Sequence, residues 1–487
     1  MIKKAIDQAK RKYASMSTAV KAALWFTICN MVQRGINFLT MPIFTRIMPT
    51  ADYGTYTVYN SWYTIIVIFA TLNLSAFVFS KGMVKFSEDR DVFELSLQSL
   101  NLTITAGILC VYLIFQTVIN KFTGLSTVIM LLMFLQIAVE PSIHYWTARN
   151  RFEYKYKHVV GATIGIALSN LFLGVILVLL LPDPALARIL SIVVVAVIFG
   201  LVFIIFIIKN AHLVFSTKYW KYALAFNLPL IPHFLSASIL NQSDRIMISQ
   251  MIGKQEAAIY SVAYAIGMFP MLLSTAVQQS FLPWLYPKMK KGDDSKISEV
   301  TTATLILMGI VVIGIIAFGP EIIKFAAPKD YYSARWIIPP VCGSVFFVFL
   351  HNMFANVEYY YEETKKIATA SVGVALLNII LNYIFIKMYG FIAAGYTTLF
   401  CYIAYTIAHY YVMMHICKKN KCELNLFDIK KIIVISLILL TAVFGITLLY
   451  DVWIARYAVI IIVCVFVLVK RKTILQTYKM MKNKDVK

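Results

Sequence analysis

The chain has 487 residues, of which 60% are hydrophobic and only 14% are charged, and its formal net charge is +22. Soluble globular proteins carry roughly 25% charged residues, so this composition excludes a soluble domain and indicates a membrane protein with several spans. The positive charge does not predict a nucleic-acid partner, because membrane topology accounts for it. The seven cysteines show neither a disulfide framework nor zinc-binding spacing, and we expect no metal site and no cofactor.

The apolar segments predict an all-α polytopic protein with about fourteen transmembrane helices, each long enough or nearly so for a ~30 Å hydrocarbon core. The basic segment 1–21 precedes them and has no signal-peptide cleavage site. Prolines 229 and 232 predict a kink or a broken first turn in the seventh span. The predicted spans are 22–45, 56–80, 95–119, 125–148, 159–181, 190–208, 222–252, 257–285, 301–323, 337–359, 368–388, 391–415, 432–449 and 457–469.

The loops predict the orientation. Most of the 45 Lys and Arg residues lie in segments on the same side as the N-terminus, if that terminus is cytoplasmic. Both termini are therefore predicted to be cytoplasmic. The segments predicted to be cytoplasmic are 1–21, 81–94, 149–158, 209–221, 287–297, 361–367, 416–431 and 470–487.

An internal repeat relates the two halves of the chain. GIALSNLFL at 165–173 matches GVALLNIIL at 373–381. The number of residues that separates these two segments also separates the two polar helix faces described in the next paragraph. RIMPTADYGTYTV matches QMIGKQEAAIYSV at an offset four residues shorter, which is about one helical turn. The repeat predicts two six-helix lobes, 22–208 and 222–415, related by a pseudo-twofold axis along the membrane normal, with a cavity between them. The remaining predicted segments are 1–21, the linker 209–221, the cytoplasmic loop 416–431, two C-terminal helices in 432–469 and the basic tail 470–487.

The two polar faces lie on the first helix of each lobe. The spacing i, i+3, i+4, i+7 puts each set on one side of its helix. Charges inside a span are costly, so they indicate a function. The first face comprises Asn30, Gln33, Arg34 and Asn37, and the second comprises Ser238, Asn241, Gln242 and Arg245.

Several motifs resemble the polysaccharide-unit flippases of the multidrug/oligosaccharidyl-lipid/polysaccharide exporter superfamily. They are RGINFLTMPIFTRIMPTADYGTY at 34–56, LPLIPH at 228–233, SDR at 243–245 and IYSVAY at 259–264. The resemblance implies a V-shaped two-lobe fold in the bacterial cytoplasmic membrane. It also implies movement of undecaprenyl-diphosphate-linked oligosaccharide to the outer leaflet by alternating access, for capsule, exopolysaccharide or O-antigen (lipopolysaccharide). Membrane lipids surround such a protein, and the polysaccharide polymerase and chain-length machinery are candidate partners.

The polar faces suit that substrate. Arginine binds phosphate through two parallel hydrogen bonds, so Arg34 and Arg245 are the candidate contacts to diphosphate or sugar. The amides of the two faces are candidate hydrogen-bond partners of the sugar: Asn30, Gln33, Asn37, Asn241 and Gln242. The alternative for Arg245 is a structural ion pair with a carboxylate such as Asp244 or Glu140.

Glu140 and Asp244 are candidate ion-coupling residues, because an intramembrane carboxylate can carry a proton or bind sodium and so use an ion gradient. For Glu140 the alternative is a structural partner of an arginine. Asn170 and Asn378 recur at equivalent repeat positions and favour helix–helix contacts. Packing is expected for His144, His233 and His351.

Other functions remain open at this point. A multidrug exporter or a lipid II flippase of the same superfamily would share the fold. A membrane-embedded polysaccharide polymerase is less expected, because the chain has no large outer loop. The sequence contains no P-loop and no nucleotide motif, so we expect a transporter and not an enzyme.

Overall fold

The computed structural model describes residues 13, 15–75, 77–211, 215–294, 296–362, 364–420, 426–462 and 465. This part of the chain is helical and contains no strand. The chain divides into two compact units, with the boundary between Leu235 and Ser236. The predicted basic tail 470–487, most of segment 1–21 and the end of the predicted span 457–469 lie outside the described residues.

Unit 1 is a bundle in which α6 packs along α8, and α1 along α7. Side-chain caps begin three of its helices: Ser17, Ser126 and Asp183 accept hydrogen bonds from the backbone N–H groups of the first turn. The helices are α1 (Thr18–Ile47), α2 (Thr50–Thr71), α3 (Phe77–Lys85), α4 (Arg90–Ile114), α5 (Gln116–Thr123), α6 (Thr127–Phe152), α7 (Tyr156–Leu180), α8 (Pro184–Asn210) and α9 (Thr217–Asn227), followed by a 3-10 turn, Leu228–Leu230.

Unit 2 is built around α15, whose residues from Ile338 to Phe349 are all buried. α17 packs along α15, and α16 packs along α17. The helices are α10 (Ile231–Met251, which begins just before the boundary), α11 (Lys254–Gly267), α12 (Met271–Lys291), α13 (Ile297–Ala317), α14 (Gly319–Ala326), a 3-10 helix (Lys329–Trp336), α15 (Ile338–Tyr360), α16 (Thr364–Tyr389), α17 (Ala393–Lys419), α18 (Ile429–Leu448) and a shorter apolar helix, Trp453–Ile462.

The prediction of an all-α polytopic membrane protein is confirmed. Within the described residues, eleven helical segments are long and apolar enough to cross a membrane, and two of these, Thr217–Met251 and Lys254–Lys291, each comprise two helices joined by a short turn. The first two predicted spans also form helices, α1 and α2, but they are not among those eleven. The polar face of α1 lowers its apolar character.

Prolines and left-handed residues interrupt several predicted spans. The break predicted at Pro229 and Pro232 is confirmed, since the 3-10 turn separates α9 from α10. The predicted span 257–285 is divided in the structure, because a turn at Phe269 and Pro270 ends α11 before α12 begins. The predicted span 56–80 is also divided: Leu72 and Asn73 take left-handed conformations between α2 and α3. The lobe boundaries and the pseudo-twofold axis stay predictions from the repeat.

Candidate functional site

The polar face of α10 forms a connected group with α11. The Nη1 atom of Arg245 donates to Gln242 Oε1 at 2.9 Å and to the Asn241 carbonyl at 2.6 Å. The Tyr264 hydroxyl donates to Asn241 Oδ1 at 2.9 Å. The guanidinium carbon of Arg245 lies 4.4 Å from the centroid of the Tyr264 ring, which is within the range of a cation–π interaction. The three predicted residues Asn241, Gln242 and Arg245 are therefore brought together.

Arg245 is half-buried, and no carboxylate of the described residues lies within ion-pair distance of it. Within unit 2, the alternative of a structural ion pair with Asp244 is thus not what the described side chains show, and the alternative with Glu140 stays a prediction. Tyr264 lies in the IYSVAY motif, but no spacing argument singled it out. Its ring supplies the flat surface against which the guanidinium is held, so an aromatic ring and not an ion pair positions the Arg245 side chain.

Asp244 points away from this group into the interior of unit 2. It is fully buried and accepts hydrogen bonds from three neutral donors. These are the Tyr260 hydroxyl, Asn382 Nδ2 at 2.5 Å and Thr398 Oγ1 at 2.9 Å. The donors come from α11, α16 and α17, so one carboxylate holds α10 to three other helices.

Further polar atoms extend this network. Ser243 Oγ donates to Asn378 Oδ1 at 2.9 Å, and Asn382 Nδ2 lies 3.1 Å from the same oxygen. Thr397 Oγ1 donates to Asn382 Oδ1. Asn378 therefore makes the helix–helix contact that its repeat position favours. Asn170, its counterpart in the repeat, accepts at its backbone carbonyl from Arg188 Nη1 at 3.0 Å.

The polar face of α1 is open in unit 1. Asn30, Arg34 and Asn37 are exposed, and Gln33 is half-buried. Among the described residues the Arg34 side chain has no ion-pair or hydrogen-bond partner. Its cation remains available to an anionic group, whereas Arg245 is already braced by an aromatic ring.

Glu140 lies on α6 at a polar cavity of about 370 Å³ inside unit 1. Its Oε2 atom accepts from the Tyr63 hydroxyl at 2.6 Å and from Gln136 Nε2 at 2.7 Å. Its Oε1 atom is 3.9 Å from Nε2 of the exposed His144. No arginine of the described residues pairs with Glu140, so its expected alternative role as an arginine partner is not seen. The cavity is lined by Tyr63, Val67, Ile68, Thr71, Asn73, Ser75, Asn101, Glu140, Pro141 and His144.

The sequence did not single out Arg188, a buried cation of unit 1. Its side chain is 5% exposed, and its guanidinium carbon lies 4.1 Å from the centroid of the Phe44 ring and 5.1 Å from that of Tyr56. A Cβ atom at Gly174 would come 2.5 Å from Arg188 Nη1, so the glycine leaves room for the guanidinium. One feature of the sequence could have indicated a role for Arg188. It is a positive charge near the N-terminus of a helix, which is unfavourable without local compensation.

Most of the residues described above lie in a region of the chain that matches a known protein family. A family model described as polysaccharide biosynthesis protein matches residues 19–289, which include α1, Glu140 and the polar face of α10. The chain is also 22% identical over 205 residues to the probable low-salt glycan biosynthesis flippase Agl15 of Haloferax volcanii. That match covers 41% of this chain and 42% of the relative, so it spans less than half the length of the curated protein.

Solved structures show the same fold. The lipid II flippase MurJ in an inward closed conformation matches with a TM-score of 0.70 and 17% identity, over 93% of this chain and 100% of MurJ. An inward-facing multidrug resistance MATE family transporter of the MOP superfamily matches with a TM-score of 0.62 and 15% identity, over 82% of this chain and 99% of that one. At these identities the likeness concerns the fold alone.

Proposed function

Since the chain belongs to the polysaccharide biosynthesis protein family, we propose that it is a flippase for lipid-linked oligosaccharide. The substrate we propose is an undecaprenyl-diphosphate-linked repeat unit, moved to the outer leaflet for capsule, exopolysaccharide or O-antigen synthesis. The curated relative is itself described as a glycan biosynthesis flippase, which supports the proposal.

The observation that carries the proposal is the state of Arg245. It is half-buried among polar side chains, it is held by the Tyr264 ring, and it forms no ion pair with a carboxylate of the described residues. An unneutralised guanidinium favours an anionic ligand, and a diphosphate offers the oxygens that arginine binds best. Arg34 supplies a second such cation on α1.

The amides next to these cations complete the proposed contacts. Asn241 and Gln242 lie on the same face as Arg245, and Asn30, Gln33 and Asn37 lie on the same face as Arg34. Amides both donate and accept, which suits sugar hydroxyls. We assign the phosphates to the arginines and the sugar hydroxyls to the amides.

Ion coupling is the second element of the proposal. Asp244 is bonded to three side chains that carry oxygen atoms, Tyr260, Asn382 and Thr398. A buried carboxylate of this kind can exchange a proton or a sodium ion with the gradient across the membrane. Glu140, at the polar cavity of unit 1, is the other candidate, and the two are separable by mutation.

The setting we propose is the bacterial cytoplasmic membrane with both termini in the cytoplasm, and transport without an enzymatic step. The polysaccharide polymerase and chain-length machinery are the proposed partners. Alkaline phosphatase and green fluorescent protein fused to each terminus test the orientation, since only a cytoplasmic terminus gives green fluorescence without phosphatase activity.

The function is tested in a strain that lacks the gene. Lipid-linked repeat units should accumulate on the cytoplasmic side, and the surface polymer should be lost. Normal surface polymer would disprove the proposal. Arg34→Ala and Arg245→Ala should fail to restore the polymer at normal protein abundance, whereas Lys254→Ala, which removes a cation just beyond α10, should restore it.

The lipid II flippase is the alternative that deserves the same assay, because MurJ has the same fold and lipid II is also an anionic lipid-linked sugar. Proteoliposomes that contain either lipid distinguish the two. A multidrug exporter is less favoured, since cations at Arg34 and Arg245 repel the cationic compounds that such a protein would bind.

A further inference from the structure

Unit 2 buries a second ionisable cluster in addition to Asp244. His409 on α17 and Glu358 on α15 are joined by a contact of 2.9 Å between Nδ1 and Oε1, and both side chains are at most 1% exposed. The ring of His351, also on α15, lies 5.4 Å from the ring of His409. Ordinary packing does not need a buried carboxylate at this place.

The pair is incompletely satisfied. Glu358 Oε2 and His409 Nε2 are buried, and neither has a hydrogen-bond partner among the described residues. A buried ionised group without full compensation is unfavourable in free energy. No arginine or lysine of the described residues lies within 4 Å of Glu358 to supply a fixed positive charge.

Counting protons shows what the pair requires. A neutral imidazole beside an ionised carboxylate has a net charge of −1. One additional proton brings the pair to zero, either as imidazolium and carboxylate or as imidazole and carboxylic acid. With that proton the buried pair has no net charge, whereas without it the pair holds one negative charge that no described cation compensates.

Among the described residues, the groups that face the pair do not supply another charge. From α17 these are Tyr402 and Tyr405, and the ring of Tyr405 lies 4.5 Å from those of both histidines. From α15 Tyr359 lies next to Glu358, and Tyr286 of α12 lies near Tyr359. From α16 Ser371 is bonded to the Tyr405 hydroxyl at 2.6 Å. His351 is the only other imidazole of the described residues in contact, and a second imidazolium beside His409 would be repelled, which limits the site to one proton.

We propose that His409 and Glu358 form a proton-binding site that holds one exchangeable proton inside unit 2. The site is separate from Asp244. Thr398, which bonds Asp244, and His409 lie on the same face of α17, eleven positions apart, which corresponds to about 16 Å of helix. Binding of the proton stands on the cluster itself, whereas its use to drive transport rests on the proposed function.

The test follows the histidine rings of the purified full-length protein in lipid nanodiscs. With ¹⁵N-labelled histidine, the ring signals are recorded from about pH 9 to about pH 5, which brackets the ordinary titration of imidazole. The chain has seven histidines, and His409→Gln identifies the signal of His409. We expect the ring nitrogens of His409 to shift with pH. In Glu358→Gln, which keeps the shape of the side chain, His409 should stay neutral throughout the range.

The control is His415→Gln, which removes an exposed histidine less than two turns further along α17. It should lose its own signal and leave the titration of His409 unchanged. A His409 signal that does not move with pH in the wild type would overturn the proposal, even if Glu358→Gln failed to fold. An unchanged titration in a folded Glu358→Gln would overturn it as well.

The outcome is separable from the flippase assay, because the nanodiscs contain no oligosaccharide substrate. If the proton binds and Glu358→Gln still supports normal surface polymer, the site exists but does not drive transport. If the deletion strain makes normal polymer, the proposed function fails while the proton site stands.

Discussion

Tyr264 holds Arg245 from one side, with 4.4 Å between the guanidinium carbon and the ring centroid, and it bonds Asn241 through its hydroxyl. One aromatic side chain therefore positions both the cation and an amide of the α10 face. The two effects can be separated, because the ring and the hydroxyl act on different neighbours.

Tyr264→Phe and Tyr264→Leu separate them. Phenylalanine keeps the ring and loses the bond to Asn241, so flipping should fall by less than about tenfold, the equivalent of roughly 1.4 kcal/mol. Leucine removes the ring as well, and we expect a larger fall together with weaker binding of the lipid-linked substrate. The measurement is uptake of the oligosaccharide lipid in proteoliposomes. Equal activity of the two variants would show that the ring has no role in holding Arg245.

Asp244 is the subject of a stability prediction. Asp244→Ala leaves Tyr260, Asn382 and Thr398 without their common acceptor, and we expect a loss of about 3 kcal/mol or more in the free energy of unfolding. Asp244→Asn keeps one acceptor oxygen and removes the charge. It should fold and lose any dependence of transport on the ion gradient. Thermal melting in detergent and transport with the gradient collapsed are the two measurements, and an Asn variant that remains gradient-dependent would rule out Asp244 as the coupling residue.

The sequence predicted the helices and the polar face of α10. It did not predict which side chains of other helices surround that face. Hydrophobic length and the repeat are properties of the chain alone, so α1, α6 and α15 lie close to their predicted positions. Tyr264 and His409 acquire their roles only when separate helices pack, and no spacing along the chain encodes that contact. The turn at Pro270 was missed because the apolar character of the segment continues across it.

Gly200 tests the packing between α6 and α8. A Cβ atom at Gly200 would lie 2.8 Å from the backbone oxygen of Val139, and backbone cannot move aside as a side chain can. Gly200→Ala should lower the free energy of unfolding by about 1–3 kcal/mol, despite the higher helix propensity of alanine. Gly107→Ala is the control, because nothing lies within 4 Å of the added atom. Thermal melting of both variants decides the point: equal melting temperatures would show that the two helices adjust freely.

Glu140 allows a test of the other coupling candidate. Glu140→Gln keeps an acceptor for Tyr63 and Gln136, so the fold of unit 1 should persist. If Glu140 carries the coupling ion, the variant should transport at a rate that no longer responds to collapse of the proton and sodium gradients. His144→Gln is the control, since it removes the exposed neighbour and retains the carboxylate. Transport by Glu140→Gln at the wild-type rate, with the wild-type response to the gradients, would end the candidacy of Glu140.

Glu321 and Arg456 give a prediction of pH dependence. Burial raises the pKa of Glu321, but the hydrogen bonds and charge of Arg456 outweigh it, so the pKa of Glu321 is lowered overall. The two side chains form a pair of parallel bonds of 2.5 and 2.6 Å, which joins α14 to the helix that begins at Trp453. A lowered pKa means that the folded state binds its proton less readily than the unfolded state. The contribution to stability is therefore present above the ordinary glutamate pKa of about 4.3 and is lost as the pH falls below it.

Glu321→Gln removes that titration. We expect the melting temperature of the wild type to fall more steeply than that of the variant as the pH is lowered from about 5 to about 3, because the contribution of the pair is lost below the ordinary glutamate pKa of about 4.3. Glu299→Gln, at the first turn of α13, is the control, and its pH profile should match that of the wild type. Parallel profiles for the wild type and Glu321→Gln would mean that the pair contributes nothing to folding. If the melting temperatures of the wild type and Glu299→Gln fall more steeply with pH than that of Glu321→Gln, the acid sensitivity belongs to the pair of Glu321 and Arg456.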